Sequence, residues 1–392
     1  MPLSQRIASD IVSASKIRKL FEEGLELKRM HGEMNVADLS LGNPVAEPPS
    51  EFIQTVSTLI QQRGGMHRYM PNLGFPWVRE VMAKTLTDEG YYEGLGPQHV
   101  MMCAGAAAGM NVVLKTILNP GENVIVAAPY FGEYRSHAEN HGGELKVVLA
   151  ADNFSLDVTR IEKAITSKTR AVIVNSPNNP TGHVYSKENL VDLVDLLTRK
   201  KRDGGHTIYV ISDEPYREIV YDGKPFTSIA TLYPDSFMVY SFSKSLSIPG
   251  ERIGYVALHP GMEDGQAIMN GMAISNRILG FVNAPALMQR TVARVDVRVD
   301  VEDYQTRRDK IKRALEDNGY EFARPEGTFY MFAKCLDEEE AFIEKARQKL
   351  LLLGPGSTFG YTGWFRLAYC VDDNTIELAC KKLRELAETC RV

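Results

Sequence analysis

From residue 100 onward the chain alternates two kinds of apolar pattern. Nearly continuous apolar runs of strand length stand at "VMMCAG" (100–105), "NVIVAAP" (123–129), "ELKVVLA" (144–150) and "RAVIVNSP" (170–177). They recur at "TIYVISDEP" (207–215), "SFMVYSFSK" (236–244) and "RIGYVALH" (252–259). Such runs are expected of strands covered on both faces. Helical patterns lie between many of them. "SKENLVDLVDLLTRKKRDGG" (186–205) opens on a capping serine and ends in glycine. The alternation predicts an α/β fold with a mostly parallel seven-stranded sheet sandwiched by helices. The last two strands are joined by too little chain for a helical crossover, so one of them should run antiparallel.

The C-terminal third changes character. A long amphipathic stretch, "DYQTRRDKIKRALEDNGY" (303–320), precedes short strands near "GTFYMFA" (327–333) and "WFRLAYC" (364–370) and a closing helix near 374–389. That pattern predicts a smaller α+β domain. The first ~45 residues are too few for a domain of their own and are expected to dock on it. The expected division is a large domain at 46–285 and a small domain built from 1–45 and 286–392.

Composition narrows the classes. At ~100–200 residues per domain, 392 residues fit two domains. A formal net charge of −5 gives no basic field to attract nucleic acid. Five cysteines, at 103, 335, 370, 380 and 390, form no CxxC pair, so neither a zinc site nor a disulfide framework is expected. "MPLSQRIASD" lacks the apolar core of a signal peptide, and the longest apolar run, 100–114, is short of a membrane span. The expectation is a cytoplasmic protein with no membrane partner and no metal.

Candidate chemistry gathers at strand ends. "SFSKSLSIPGERIG" (241–254) sets Lys244 among Ser241 and Ser243, with Arg252 following. Hydroxyls and a guanidinium suit a phosphate dianion, and a partly desolvated lysine attacks carbonyls. A solvated surface lysine is the plainer alternative. "CAGAAAGM" (103–110) is a small-residue turn into a helix whose amides could cradle phosphate; tight helix-to-sheet packing is the alternative. It is not a Walker loop, since no GKS or GKT follows. Asp213 follows the apolar "IYVI", either as a functional carboxylate or as a helix cap. "VNSPNNPTG" (174–182) reads as a polar turn by itself. Arg366 lies among apolar neighbours in "WFRLAYC" and wants an anion, a substrate or a structural carboxylate. Together these groups make an inventory for pyridoxal 5′-phosphate, which needs phosphate ligands, a lysine and an acid partner for its pyridine nitrogen.

At this point the chain resembles a known family, the fold-type-I pyridoxal-phosphate aminotransferases of class I/II, a group that includes aspartate and aromatic aminotransferases. The resemblance spans nearly the whole chain. It rests on ordered motifs: "LSLGNP" (39–44), "YMPNLGFPWVRE" (69–80), "GAAAGM" (105–110), "PYFGEY" (129–134), "NSPNNPTG" (175–182), "SDEPY" (212–216), "SFSKSLSIPGERIGY" (241–255) and "FRLAY" (365–369).

The resemblance implies roles. Lys244 would carry the cofactor in Schiff-base linkage and move the proton between Cα and the cofactor. Asp213 would pair with the protonated pyridine nitrogen. Tyr216 and Asn179 would hydrogen-bond the phenolic oxygen, and Phe131 would stack on the ring. Ser241, Ser243, Arg252 and the amides of Ala106 and Ala107 would hold the phosphate. Arg366 would grip the substrate α-carboxylate, with Asn179 and the backbone near Gly42 helping. Tyr69 would reach the phosphate of a partner subunit, so a homodimer with shared sites is implied. The phosphate turn departs from relatives in being all alanine, and Phe131 stands where some aspartate aminotransferases carry tryptophan. Arg277, in "SNRILGFVNAP", lies in the region of a second substrate arginine, though a surface arginine is the plainer reading.

The implied activity is transfer of the amino group of an L-amino acid to a 2-oxo acid, with 2-oxoglutarate as the expected acceptor. A C–S β-lyase or a decarboxylase would use the same cofactor residues. A non-catalytic cofactor sensor would need an added DNA-binding domain and a basic segment, and the sequence displays neither.

Overall fold

The computed structural model describes residues 3–4, 7, 22–62 and 67–391. In chain order its strands are β1 (Ala37–Asp38), β2 (Val100–Cys103), β3 (Asn123–Ala128), β4 (Glu144–Leu149), β5 (Thr169–Asn175) and β6 (Tyr209–Asp213). They continue with β7 (Ser236–Ser241), β8 (Gly254–Leu258), β9 (Tyr330–Lys334), β10 (Leu351–Leu352), β11 (Gly354–Pro355) and β12 (Trp364–Ala368). The chain divides into two compact units. One comprises Met1–Val45, Asn179–His183 and Asp300–Val392; the other comprises Ala46–Asn178 and Val184–Val299.

The larger unit is an α/β structure built on a seven-stranded sheet of order β2-β8-β7-β6-β5-β3-β4. All seven expected strands are present. β3, β4, β5, β6 and β7 pair parallel, while β8 runs antiparallel to both β7 and β2. The short link from β7 to β8 forces that reversal, as its length predicts. Because β8 alone is reversed, the other six strands end at one edge of the sheet. Register then decides which residues meet there. Asn175 pairs with Asp213, Ser241 with Gly254, and Gly254 with Cys103. Open parallel sheets place their ligands at such an edge.

Among the described residues, two apolar cores pack on the sheet. One holds Ile125, Val172, Leu190, Leu193 and Leu197, from strands and from the helix Lys187–Arg202. That helix starts where Ser186 accepts a hydrogen bond from the amide of Asn189, the cap its sequence promised. The other core joins Phe52, Val78 and Met82 to Ala284, Met288, Val292 and Val295. This second cluster moves the domain boundary. Residues 286–299 were expected in the small domain, but the apolar face of helix Ala286–Val292 packs on helix Ser50–Ile60, so the larger unit runs on to Val299.

The smaller unit is α+β. β9 pairs antiparallel with β12, and β12 with β11. The helices Val301–Asp317 and Asp373–Cys390 pack on each other, as the amphipathic segments predict. β1 pairs parallel with β10, which ties the N-terminal segment to the C-terminal third. Residues 179–183 were expected in the large domain and instead group here. The amides of Glu326 and Gly327 donate to the carbonyl of Gly182 at 2.9 and 2.8 Å, which fixes that excursion.

Candidate active site

The strand edge of the larger unit gathers three groups of side chains. At the first, β2 turns into helix Gly105–Ile117, and no side chain caps that helix. The amides of its first turn, including those of Ala106 and Ala107, are therefore left to an outside acceptor. Gly105 has φ +79°, and a Cβ there would lie 2.7 Å from Nη2 of Arg252. Only glycine lets the guanidinium lie against the start of the helix. Arg252 is itself left-handed, at φ 52°, and its Nη1 donates to the carbonyl of Pro249 at 3.0 Å. Ser241 and Ser243 lie at the end of β7, with their hydroxyls 2.8 Å apart.

The second group surrounds Asp213, which is 7% exposed at the end of β6. Its Oδ2 accepts from the hydroxyl of Tyr134 and, at 3.5 Å, from Nδ2 of Asn175. Asn175 Nδ2 also donates to the Asp213 carbonyl at 2.9 Å. The other oxygen, Oδ1, is buried without a partner. Burial pushes the carboxyl up to about 6, and the Tyr134 hydrogen bond pulls part of the way back. Burial, and then the charge of Asp213, push the Tyr134 phenol far above its ordinary value. Phe131 meets the Tyr134 ring edge-on, with centroids 5.5 Å apart. Tyr216 is buried in the segment after β6.

The third group is the turn of Lys244. Phe242–Ser245 is a four-residue helix capped by the Ser241 hydroxyl, which accepts from the amide of Ser243. Lys244 is half-buried on it. The expected phosphate ligands, the strand-end carboxylate and the lysine are thus brought to one edge.

The smaller unit holds the second cluster. Arg366, in the middle of β12, is 5% exposed. Its Nη1 donates to Oδ1 of Asn179 at 3.1 Å and its Nη2 to the carbonyl of Ser40 at 2.6 Å. The guanidinium carbon lies 4.4 Å from the ring centre of Tyr330 and 4.6 Å from that of Phe359. Its Nε has no hydrogen-bond partner. Among the described residues no carboxylate pairs with Arg366, so the structural-carboxylate alternative falls away. Gly42 belongs to the same cluster: a Cβ there would fall 1.8 Å from the Tyr330 hydroxyl.

Two expected residues lie elsewhere. Tyr69 is 92% exposed in the loop before helix Pro76–Asp88. Arg277 is exposed on helix Gly265–Ile278, in keeping with a surface arginine. Sequence reasoning missed three members of the clusters. Tyr134 and Asn175 stand inside quoted motifs but received no role, and Ser40 acts through its carbonyl. The tyrosine that closes "PYFGEY" was a usable signal; a backbone acceptor leaves none. Among the described residues no group of His, Cys, Asp and Glu could hold a metal, and no helix is long and apolar enough to cross a membrane.

Comparison with known proteins agrees over the full length. The family model "Aminotransferase class I and II" matches residues 34–383. A probable aspartate/prephenate aminotransferase of Thermus aquaticus is 30% identical over 392 residues, covering 98% of each chain. Among solved structures, an amino transferase from Eubacterium rectale superposes with a TM-score of 0.94 at 34% identity, covering 99% of each chain. An aspartate aminotransferase from Thermus thermophilus, solved with maleate, gives 0.87 at 26% identity, covering 98% of this chain and 100% of that one.

Proposed function

The chain is an aminotransferase of the class I and II family, and from that membership we propose that it uses pyridoxal 5′-phosphate to pass the amino group of an L-amino acid to a 2-oxo acid, 2-oxoglutarate, in two half-reactions. The observation that carries the reading is Asp213 Oδ1, a buried carboxylate oxygen without a partner at the strand edge that also bears Lys244 and Arg252. A buried orphan acceptor is costly unless a donor arrives, and a protonated pyridine nitrogen is such a donor. The uncapped helix start, with Arg252 over Gly105, fits a phosphate.

When bound, the cofactor supplies an electron sink for negative charge at the substrate Cα. The rest is the work of this chain. Asp213 Oδ1 accepts from the pyridine nitrogen while Tyr134 and Asn175 hold Oδ2 and so fix the carboxylate plane. Lys244 would hold the cofactor through its Nζ and would take up and return the proton at the substrate Cα. Tyr216 and Asn179 would donate to the phenolic oxygen, and Phe131 would cover the ring. Ser241, Ser243, Arg252 and the amides of Ala106 and Ala107 hold the phosphate. Arg366, whose positive charge meets only neutral hydrogen-bond acceptors among the described residues, Asn179 and Ser40, would take the substrate α-carboxylate, with the backbone at Gly42 beside it. The protein works as a cytoplasmic homodimer in which Tyr69 completes the partner's site; its 92% exposure supports that placement.

The relatives' names make aspartate and prephenate the first donor and acceptor to try. The test is a panel of twenty L-amino acids against 2-oxoglutarate, with glutamate measured. Glutamate should form in step with the 2-oxo acid of the donor. Ammonia or carbon dioxide without glutamate would point to the lyase or decarboxylase reading.

A further inference from the structure

A helix of four residues has no stability of its own, because nucleation outweighs its few hydrogen bonds. Phe242–Ser245 must therefore be held by its surroundings. Its N-terminal end is held by the Ser241 cap. Its C-terminal end is held by a buried polar chain that the reaction described above does not use. Ser245 Oγ lies 2.7 Å from the hydroxyl of Tyr240, which donates to Oε1 of Glu218, also at 2.7 Å. A phenol has one proton, and Tyr240 spends it on Glu218. The Ser245 hydroxyl must then be the donor to Tyr240. The direction runs one way, from Ser245 to Tyr240 to Glu218.

The far end of that chain is anchored. Arg217 Nε pairs with Glu218 Oε1 at 3.0 Å, and its guanidinium is sandwiched between the rings of Tyr91 and Tyr240, at 4.6 and 4.3 Å. Arg217 Nη2 also reaches Glu89 at 3.5 Å. The Tyr240 ring is fixed in turn by stacking on Tyr255, 4.9 Å away, and by an edge contact with Phe242. A cavity of about 540 Å³ borders this cluster at Arg217, Glu218, Tyr240 and Phe242, so packing alone does not close the space behind the turn.

We infer that Tyr240, Ser245 and Glu218 are positioning residues that set the turn carrying Lys244 and thereby the aim of its amine. The inference rests on the proposed role of Lys244. Removing the Tyr240 hydroxyl takes away the Ser245 hydroxyl's acceptor, removing the Ser245 hydroxyl releases the turn from Tyr240, and either change lets the turn shift while Arg366 and the carboxylate cluster stay in place.

The test uses Tyr240→Phe, Ser245→Ala and the double variant, with two readouts. The first is steady-state kinetics. The second is the rate at which cofactor added to cofactor-free protein becomes fixed to Lys244 by borohydride, followed by mass spectrometry. Each single variant should lose about 10-fold in kcat, with KM for the amino donor held within about twofold. The fixation rate should fall by a comparable factor. The double variant should also lose about 10-fold rather than about 100-fold, because either change alone already breaks the Ser245–Tyr240 bond that holds the turn. Leu196→Ala, a truncation in the core under helix Lys187–Arg202, controls for stability and should lower Tm while leaving both readouts unchanged. If Tyr240→Phe and Ser245→Ala behave like that control, the residues are structural and the inference is overturned. If borohydride fixes wild-type protein at another lysine, the Lys244 reading is overturned and the inference with it.

Discussion

At the residue scale, Asp213 carries the most physics. Its carboxyl titrates near 6 rather than near 3.8 because it is buried. The folded chain therefore holds a proton there over a pH range where the unfolded chain has lost it. In the cofactor-free protein this group's contribution is fully present below about pH 4 and is lost as pH rises through about 6. Asp213→Asn removes that loss. Its stability relative to wild type should therefore be greater at pH 8 than at pH 4, by about 2–3 kcal/mol, as read from urea midpoints of cofactor-free protein. An equal difference at both pH values would mean that Asp213 is solvated. The same variant should cut kcat by orders of magnitude, since a neutral amide cannot hold the pyridine nitrogen charged.

Arg366→Lys keeps a charge but cannot reach both Asn179 and Ser40 while presenting a fork. It should lose about 30- to several-thousand-fold in kcat/KM for every amino-acid donor alike. Normal activity in this variant would make Arg366 structural. Lys244, Asp213 and Arg366 stand out in the sequence as charged residue types that follow or interrupt apolar runs, and the family resemblance supplied the roles proposed for them. Tyr134 and Asn175 do not stand out. Their partner lies 79 and 38 residues away, and nothing local distinguishes them from a core tyrosine and a turn asparagine.

At the element scale, the sheet was readable because each strand is covered on both faces and so appears as an apolar run. The antiparallel β8 was readable from the shortness of its link. Register was not readable, yet it is register that sets Gly254 against both Ser241 and Cys103 and brings the helix start to the lysine turn. Gly105→Ala tests this corner. It forces a Cβ to within 2.7 Å of the Arg252 guanidinium at a left-handed φ. The variant should fold, lose about tenfold or more in affinity for pyridoxal phosphate and for inorganic phosphate, and leave KM for the amino donor nearly unchanged. Unaltered affinity would remove Arg252 and this helix start from the phosphate site.

At the scale of the whole molecule, the chain was expected to divide at 285 and the larger unit in fact runs to Val299. The reason is a few apolar residues, Met288, Val292 and Val295, whose partners near Phe52 and Val78 are more than 200 positions away. The excursion of 179–183 was hidden for a like cause, since it depends on backbone hydrogen bonds to 326 and 327. The shared-site dimer is testable with two inactive parents. Tyr69→Ala and Lys244→Ala chains, mixed and reassembled, should give hybrids with one intact site, and activity should rise from near zero toward a quarter of wild type, as random pairing dictates. A fully active monomer by light scattering would contradict it. The central claim is that this chain transaminates, with Lys244 and Asp213 acting on one bound cofactor per chain. Its most direct test is a single turnover of cofactor-loaded protein with an L-amino acid and no acceptor. The expected result is one equivalent of the matching 2-oxo acid per chain with no free ammonia, the amino group then appearing as glutamate when 2-oxoglutarate is added. Continuous release of ammonia or carbon dioxide in the absence of an acceptor would contradict it.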